Sequence, residues 1–114
     1  MMYKSVLDVL LEWLHNNTDK PLRITDIAAR SGYSPWHLQR IFKSHTGVTL
    51  GQYVTVLKLN KAFELLSTTR TPIMDVSFIV GFSSQQAFSR RFHQYFGKTP
   101  GQVRRDMTEK RERV

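Results

Sequence analysis

A chain of 114 residues with 40% apolar and 11% aromatic side chains can build one or two small domains around a real core, which argues against disorder along its length. The formal charge of +8, at a pI near 10.2, favours a polyanionic partner through counterion release if the charges share a face, without choosing between DNA, RNA and an anionic membrane. With no cysteine, disulfide scaffolds, thiolate zinc sites and a cysteine nucleophile are excluded, and no apolar run reaches the length of a membrane span or signal segment, so a soluble cytoplasmic protein is expected.

Val6, Leu10, Trp13 and Leu14, with Val9 on the same face, predict a first amphipathic helix that Asn16-Asn17 and Pro21 end. Ile24 to Arg30 predicts a short second helix stopped by Ser31-Gly32. A third starts near Pro35, buries Leu38, Ile41 and Phe42, and closes at Gly47. Thr49 is the expected cap of a longer fourth helix, about Leu50 to Leu66, with Tyr53, Val54, Leu57, Phe63 and Leu66 on its apolar sector. After the break at Ser67 to Arg70, Thr71-Pro72 signals a new cap and first turn, with Ile73 and Val76 restarting the pattern. A last helix begins at Thr99-Pro100 and is expected to fray from Asp106.

The second half repeats the first. Asp26, Gly32 and Ser34 recur 49 positions on as Asp75, Gly81 and Ser83, whereas Arg40, Phe42, Gly47, Thr49, Gly51 and Gln52 recur 50 positions on as Arg90, Phe92, Gly97, Thr99, Gly101 and Gln102. One residue is therefore inserted between Ser83 and Phe88, where a turn meets a helix. Each copy has helix-turn-helix anatomy: Ala28 or Ser77 where helices cross closely, Gly32 or Gly81 for the turn, Tyr33 or Phe82 to pin it, and Ser34 or Ser83 as the cap. The expected fold is all-α, with about seven helices in two homeodomain-like helix-turn-helix subdomains, residues 1–49 and 68–114, joined by a linker helix over 50–67.

Charge follows the same division. Residues 1–32 balance to zero, while 33–61 carry Arg40, Lys43, Lys58 and Lys61, and 77–105 carry Arg90, Arg91, Lys98, Arg104 and Arg105, with no acid in either block. With Leu38 and Phe42 inward, helical phase turns Trp36, Gln39, Arg40 and Lys43 outward near the end a recognition helix inserts into the major groove. Arg40 suits a guanine edge, Gln39 adenine, and Trp36 either a thymine methyl or sugar, or partial core burial. In the second copy Phe88 and Phe92 take the core, leaving Gln85, Gln86 and Arg90 for base edges. Backbone contacts are expected from Ser34, Lys43, Ser84, Ser89, Arg91 and Lys98. A linker of about 16 residues spans roughly 24 Å, which with the width of the units approaches the ~34 Å groove repeat. The predicted site is asymmetric, because Trp36-His37 and Gln85-Gln86 differ.

His15, His37, His45 and His93 have no zinc-motif spacing, and no catalytic grouping, Walker loop or dinucleotide fingerprint stands out, so no enzyme, metal or cofactor is called for. An architectural or largely nonspecific DNA binder is the alternative, one that has no need of the Trp and Gln positions. A membrane or RNA binder lacks the one continuous cationic face it requires.

The stretches Pro21-Leu22, Ile27-Ala28, Ser31 to Lys43, Leu50 to Tyr53, Gly81 to Arg90 and Gly97 to Pro100 resemble the DNA-binding domain of the AraC/XylS family, most closely its short stand-alone members, over about residues 5–105. The resemblance implies seven helices in two subdomains and monomeric binding to a degenerate site of about 20 bp. It places base contacts on Trp36, Gln39, Arg40, Gln85, Gln86 and Arg90, with Ser89 and Ala87 at positions that touch backbone or bases, Ala87 through apolar contact alone. It also implies activation of stress or multidrug-resistance genes in a bacterial nucleoid, by touching RNA polymerase. The two DNA units use up the chain, so no small-molecule effector domain is expected. Leu57 stands where relatives usually carry Arg, Phe63 where a small Ala is common, and Arg23 in place of a Ser or Thr cap. These departures bear on the contacts and packing of the fourth helix, not on the recognition helices.

Overall fold

The computed structural model describes residues 2–112 apart from Asp19 and Pro21, with side chains from residue 6 to residue 110. These residues form seven helices and no strand: α1 (Met2–Asn16), α2 (Ile24–Ser31), α3 (Pro35–Thr46), α4 (Leu50–Thr68), α5 (Ile73–Ile79), α6 (Gln85–Phe96) and α7 (Pro100–Glu112). Pro21, expected to end the first helix, lies outside the described residues. The chain divides into two compact units, Met1–Leu57 and Lys58–Val114.

In the first unit α1 buries Leu7, Leu10 and Leu14, an i, i+3, i+7 stripe. Leu10 and Leu14 of the expected stripe belong to it and Trp13 packs at its edge, but Leu7 takes the place expected of Val9. Val9 stands 66% exposed, because two positions past Leu7 a side chain points to nearly the opposite side of a helix. Trp13 sits at the rim of the core with the Arg30 guanidinium 5.0 Å from its ring centre. α2 buries Ile27 and Ala28 against α3 and starts without a side-chain cap, since Arg23 has no acceptor to offer its first turn. Gly32 ends it at φ +83°, a left-handed geometry that costs a β-carbon-bearing residue steric strain, and its N–H donates to the Ala28 carbonyl at 3.1 Å.

α3 opens where Ser34 Oγ accepts from the His37 N–H at 3.2 Å and Pro35 fills the first turn. Leu38 and Phe42 are buried on its inner face and Gly47 closes it. A capping box starts α4: the Gln52 N–H donates to Thr49 Oγ1 at 3.1 Å, and the Thr49 N–H donates to Gln52 Oε1 at 3.0 Å.

α4 serves both cores. Leu50, Val54 and Leu57 belong to the first, whereas Leu59, Ala62 and Leu66 belong to the second. The single sector expected for this helix is thus two stripes of different phase. Tyr53 and Phe63 are only partly buried, and Leu59 and Ala62 take core places that a one-stripe reading misses.

The second unit reproduces the first with local changes. Pro72 precedes α5, and no side chain caps it. Thr71, the expected cap, instead pairs its hydroxyl with that of Thr69 at 3.0 Å. Val76, Ser77 and Val80 are buried, the Ser77 hydroxyl being satisfied by the Met74 carbonyl. Gly81 turns the chain at φ +90°. Ser84, not Ser83, then caps α6, accepting from the Ala87 N–H at 3.1 Å. The inserted residue is therefore taken up between Phe82 and Ser84, before the helix begins, because a cap must stand immediately before the first helical turn.

Phe88 and Phe92 are fully buried. Phe63 stacks near-parallel on Phe92 at 6.4 Å and reaches Phe96 at 5.0 Å, so the bulk that departs from the family pattern fills this core. The Thr99–Gln102 pair repeats the capping box at the start of α7. That helix runs to Glu112 instead of fraying from Asp106: Val103 and Met107 pack on the core, and Asp106 is tied to Lys98 at 2.8 Å.

Candidate nucleic-acid interface

Burial of Leu38 and Phe42 fixes the rotation of α3 about its axis. Trp36, Gln39, Arg40 and Lys43 are consequently exposed, and with His45 and Thr49 they line an open depression beside the helix. Trp36 is 67% exposed, which answers the choice left open by sequence: its ring is not core. The Arg40 guanidinium carbon lies over that ring, 4.7 Å from its centre. Ser34 accepts the capping bond through an oxygen lone pair, so its hydroxyl proton remains able to donate to a phosphate.

α6 carries a parallel arrangement. Gln85, Gln86, Arg90 and Arg91 are exposed, while Ser84, Ala87 and Ser89 are half-buried beside Phe88 and Phe92. The burial sequence from Ser84 to Pro100 nearly copies that from Ser34 to Leu50, so Arg90 occupies the place of Arg40 and His93 that of Lys43. Lys98 is exposed and shares its ammonium with Asp106, an ion pair of the solvent-screened kind that competes only weakly with a phosphate.

Not every cation of the basic blocks faces outward. Arg104 turns in and donates to the main-chain carbonyls of Leu66, Thr69 and Thr71. Lys58 is half-buried, and that desolvation lowers its ammonium pKa from the ordinary lysine value. Charge counting alone cannot separate such residues from phosphate ligands. The two capping boxes are legible in the sequence as the repeated Thr-x-x-Gln spacing, Thr49 to Gln52 and Thr99 to Gln102. Tyr95, half-exposed at the position matching His45, carried no sequence signal apart from the repeat itself. Among the described residues no three His, Cys, Asp or Glu gather as a metal site, and no helix is long and apolar enough to cross a membrane.

The sequence pattern of a helix-turn-helix domain family matches residues 7–106. The regulatory protein SoxS of Salmonella typhimurium is 41% identical over 104 residues, covering 91% of this chain and 97% of SoxS. The right origin-binding protein of Escherichia coli is 44% identical over 96 residues; these are 84% of this chain and only 33% of that longer protein. Among solved structures, a transcriptional regulator from Chromobacterium violaceum, described as containing an AraC-type DNA-binding domain, superposes with a TM-score of 0.84. It is 32% identical over 91% of this chain and 93% of its own.

Proposed function

Since this chain belongs to the AraC-type helix-turn-helix family of DNA-binding transcriptional regulators, and is not an enzyme, we propose that it is an activator that binds as a monomer to an asymmetric DNA site, one unit in each of two adjacent major grooves. One observation carries the reading. Both helices that follow the glycine turns bury the same two positions, Leu38 and Phe42 or Phe88 and Phe92, yet turn outward different side chains, Trp36, Gln39 and Arg40 or Gln85, Gln86 and Arg90. A scaffold repeated with altered decoration suits two unlike half-sites.

Trp36, Gln39 and Arg40 read the first half-site, and Gln85, Gln86 and Arg90 the second. Ser34, Lys43, Ser84, Ser89, Arg91 and Lys98 hold phosphates and set the register. Residues 1–49 and 68–114 act as the two readers, with 50–67 as the connecting helix. Bound upstream of a promoter, the protein recruits RNA polymerase; family analogy supports this step and points to stress or multidrug-resistance genes, acting on the nucleoid in the cytoplasm.

Selection of bound duplexes from random DNA tests the proposal. A split, asymmetric consensus with one protein per duplex in sedimentation is expected. Equal affinity and equal salt slope on all sequences would leave the architectural, nonspecific binder instead. Run-off transcription from a template carrying the consensus should rise when the protein is added to polymerase; an unchanged yield would remove the activator role.

A further inference from the structure

We infer that Trp36 is a positioning residue for Arg40: the indole holds the guanidinium in place before DNA arrives, so the two read one guanine as a coupled unit. The inference rests on the reading that α3 enters the major groove.

The two residues are four apart on α3, the spacing that stacks side chains along one face of a helix. Their separation, 4.7 Å from guanidinium carbon to ring centre, is within the range of cation–π attraction. Neither can turn inward, because Leu38 between them and Phe42 beyond are locked in the core. Among the described residues no ion pair involves Arg40, and residues 33–61 contain no acid, so the ring is its attractive partner along this stretch.

The ring attracts the guanidinium through its charge, and one ring face cannot occupy all five of its N–H donors. The contact therefore restrains the side chain and leaves donors for guanine O6 and N7. Arginine loses much rotamer freedom when it binds, and holding it beforehand removes part of that cost. The second unit lacks the device. Four residues before Arg90 stands Gln86, and the rings nearest on that helix, Phe88 and Phe92, are buried.

The test uses the full chain and a duplex selected by it, together with the three variants of that duplex that replace the guanine assigned to Arg40. Trp36→Leu keeps an apolar side chain for a thymine methyl but has no π face, whereas Trp36→Phe keeps the face. Trp36→Leu should lose roughly two- to fivefold in affinity and relax preference at the same base as Arg40→Ala. Trp36→Phe should retain that preference, and the double variant Trp36→Leu/Arg40→Ala should lose less than the two single losses combined. In the free protein, the ring-current shift on the Arg40 side-chain protons should vanish in Trp36→Leu. Additive losses, or an unrelaxed preference at that guanine in Trp36→Leu, would show the two side chains acting independently and overturn the inference while leaving sequence-specific binding intact. Failure to select any consensus would instead overturn the functional reading, and the inference with it.

Discussion

Arg104 on α7 donates to the main-chain carbonyl of Thr69, 3.2 Å away in the connection between α4 and α5. The same guanidinium also serves the carbonyls of Leu66 and Thr71, so one side chain satisfies three acceptors around a segment with no regular structure. It is a staple within the second unit, and it holds the entry to the helix-turn-helix that presents α6.

Arg104→Ala should therefore destabilise the protein by about 1.5–3 kcal/mol, the scale of hydrogen bonds to a charged group. Arg104→Lys should recover only part of this, because a lysine has no planar fork to span three carbonyls. Urea denaturation of both variants checks the expectation; a loss in the alanine variant no larger than that of an ordinary surface change would remove the staple.

The two serines after Phe82 should behave differently. Ser84→Ala removes the cap of α6 and should cost about 1 kcal/mol, whereas Ser83→Ala should stay within about 0.5 kcal/mol. Thermal melts of the pair decide where the extra residue of the second repeat lies, and equal effects would contradict the register given by the Ser84–Ala87 bond.

Two glycines make a second matched pair. An added β-carbon meets nothing within 4 Å at either Gly32 or Gly51, so backbone conformation alone separates them. Gly32→Ala, at φ +83°, should destabilise by about 1–2 kcal/mol, while Gly51→Ala, inside α4, should stabilise by about 0.5–1 kcal/mol. Calorimetry should give melting shifts of opposite sign.

Burial lowers the Lys58 ammonium pKa in the folded chain, so desolvation penalises the protonated form there and not in the unfolded chain. The penalty is full below the lowered folded pKa and fades as pH climbs from there to the ordinary lysine range, where the unfolded chain also loses its proton. Lys58→Met should accordingly raise the melting temperature most at pH below the lowered folded pKa, and the advantage over the parent should shrink as pH rises toward the ordinary lysine range. A difference that stays constant with pH would assign the gain to packing.

On a library of sites, Arg40→Ala should cost about 1–3 kcal/mol and relax preference at one base pair, whereas Lys43→Ala should weaken every sequence alike and lower the salt slope by about one. Uniform loss in both variants would take direct readout away from α3.

Much of this was legible before any coordinates. The recurrence of Gly32 as Gly81, of Phe42 as Phe92 and of Thr49-x-x-Gln52 as Thr99-x-x-Gln102 announces two copies of one local design, and helical period then tells which residues of α3 and α6 face out. On α1 the sequence marks Leu10 and Leu14 as core but not whether Leu7 or Val9 joins them, because Val6, Leu7, Val9 and Leu10 offer two overlapping apolar stripes and propensity does not rank them. The surface that α1 meets, formed by residues of α2, α3 and α4, selects Leu7 and leaves Val9 in water.

Caps, turn glycines and helical period act over four or five residues, so the order of side chains along the chain by itself determined the seven helices of the described residues, the duplication and the outward faces of α3 and α6. Tertiary structure alone decided that α4 divides its apolar side chains between two cores, that Arg104 turns inward, and that Phe63 stacks on Phe92. Those outcomes join groups up to 38 residues apart, and which neighbours meet across such distances depends on how whole helices fill the space between them.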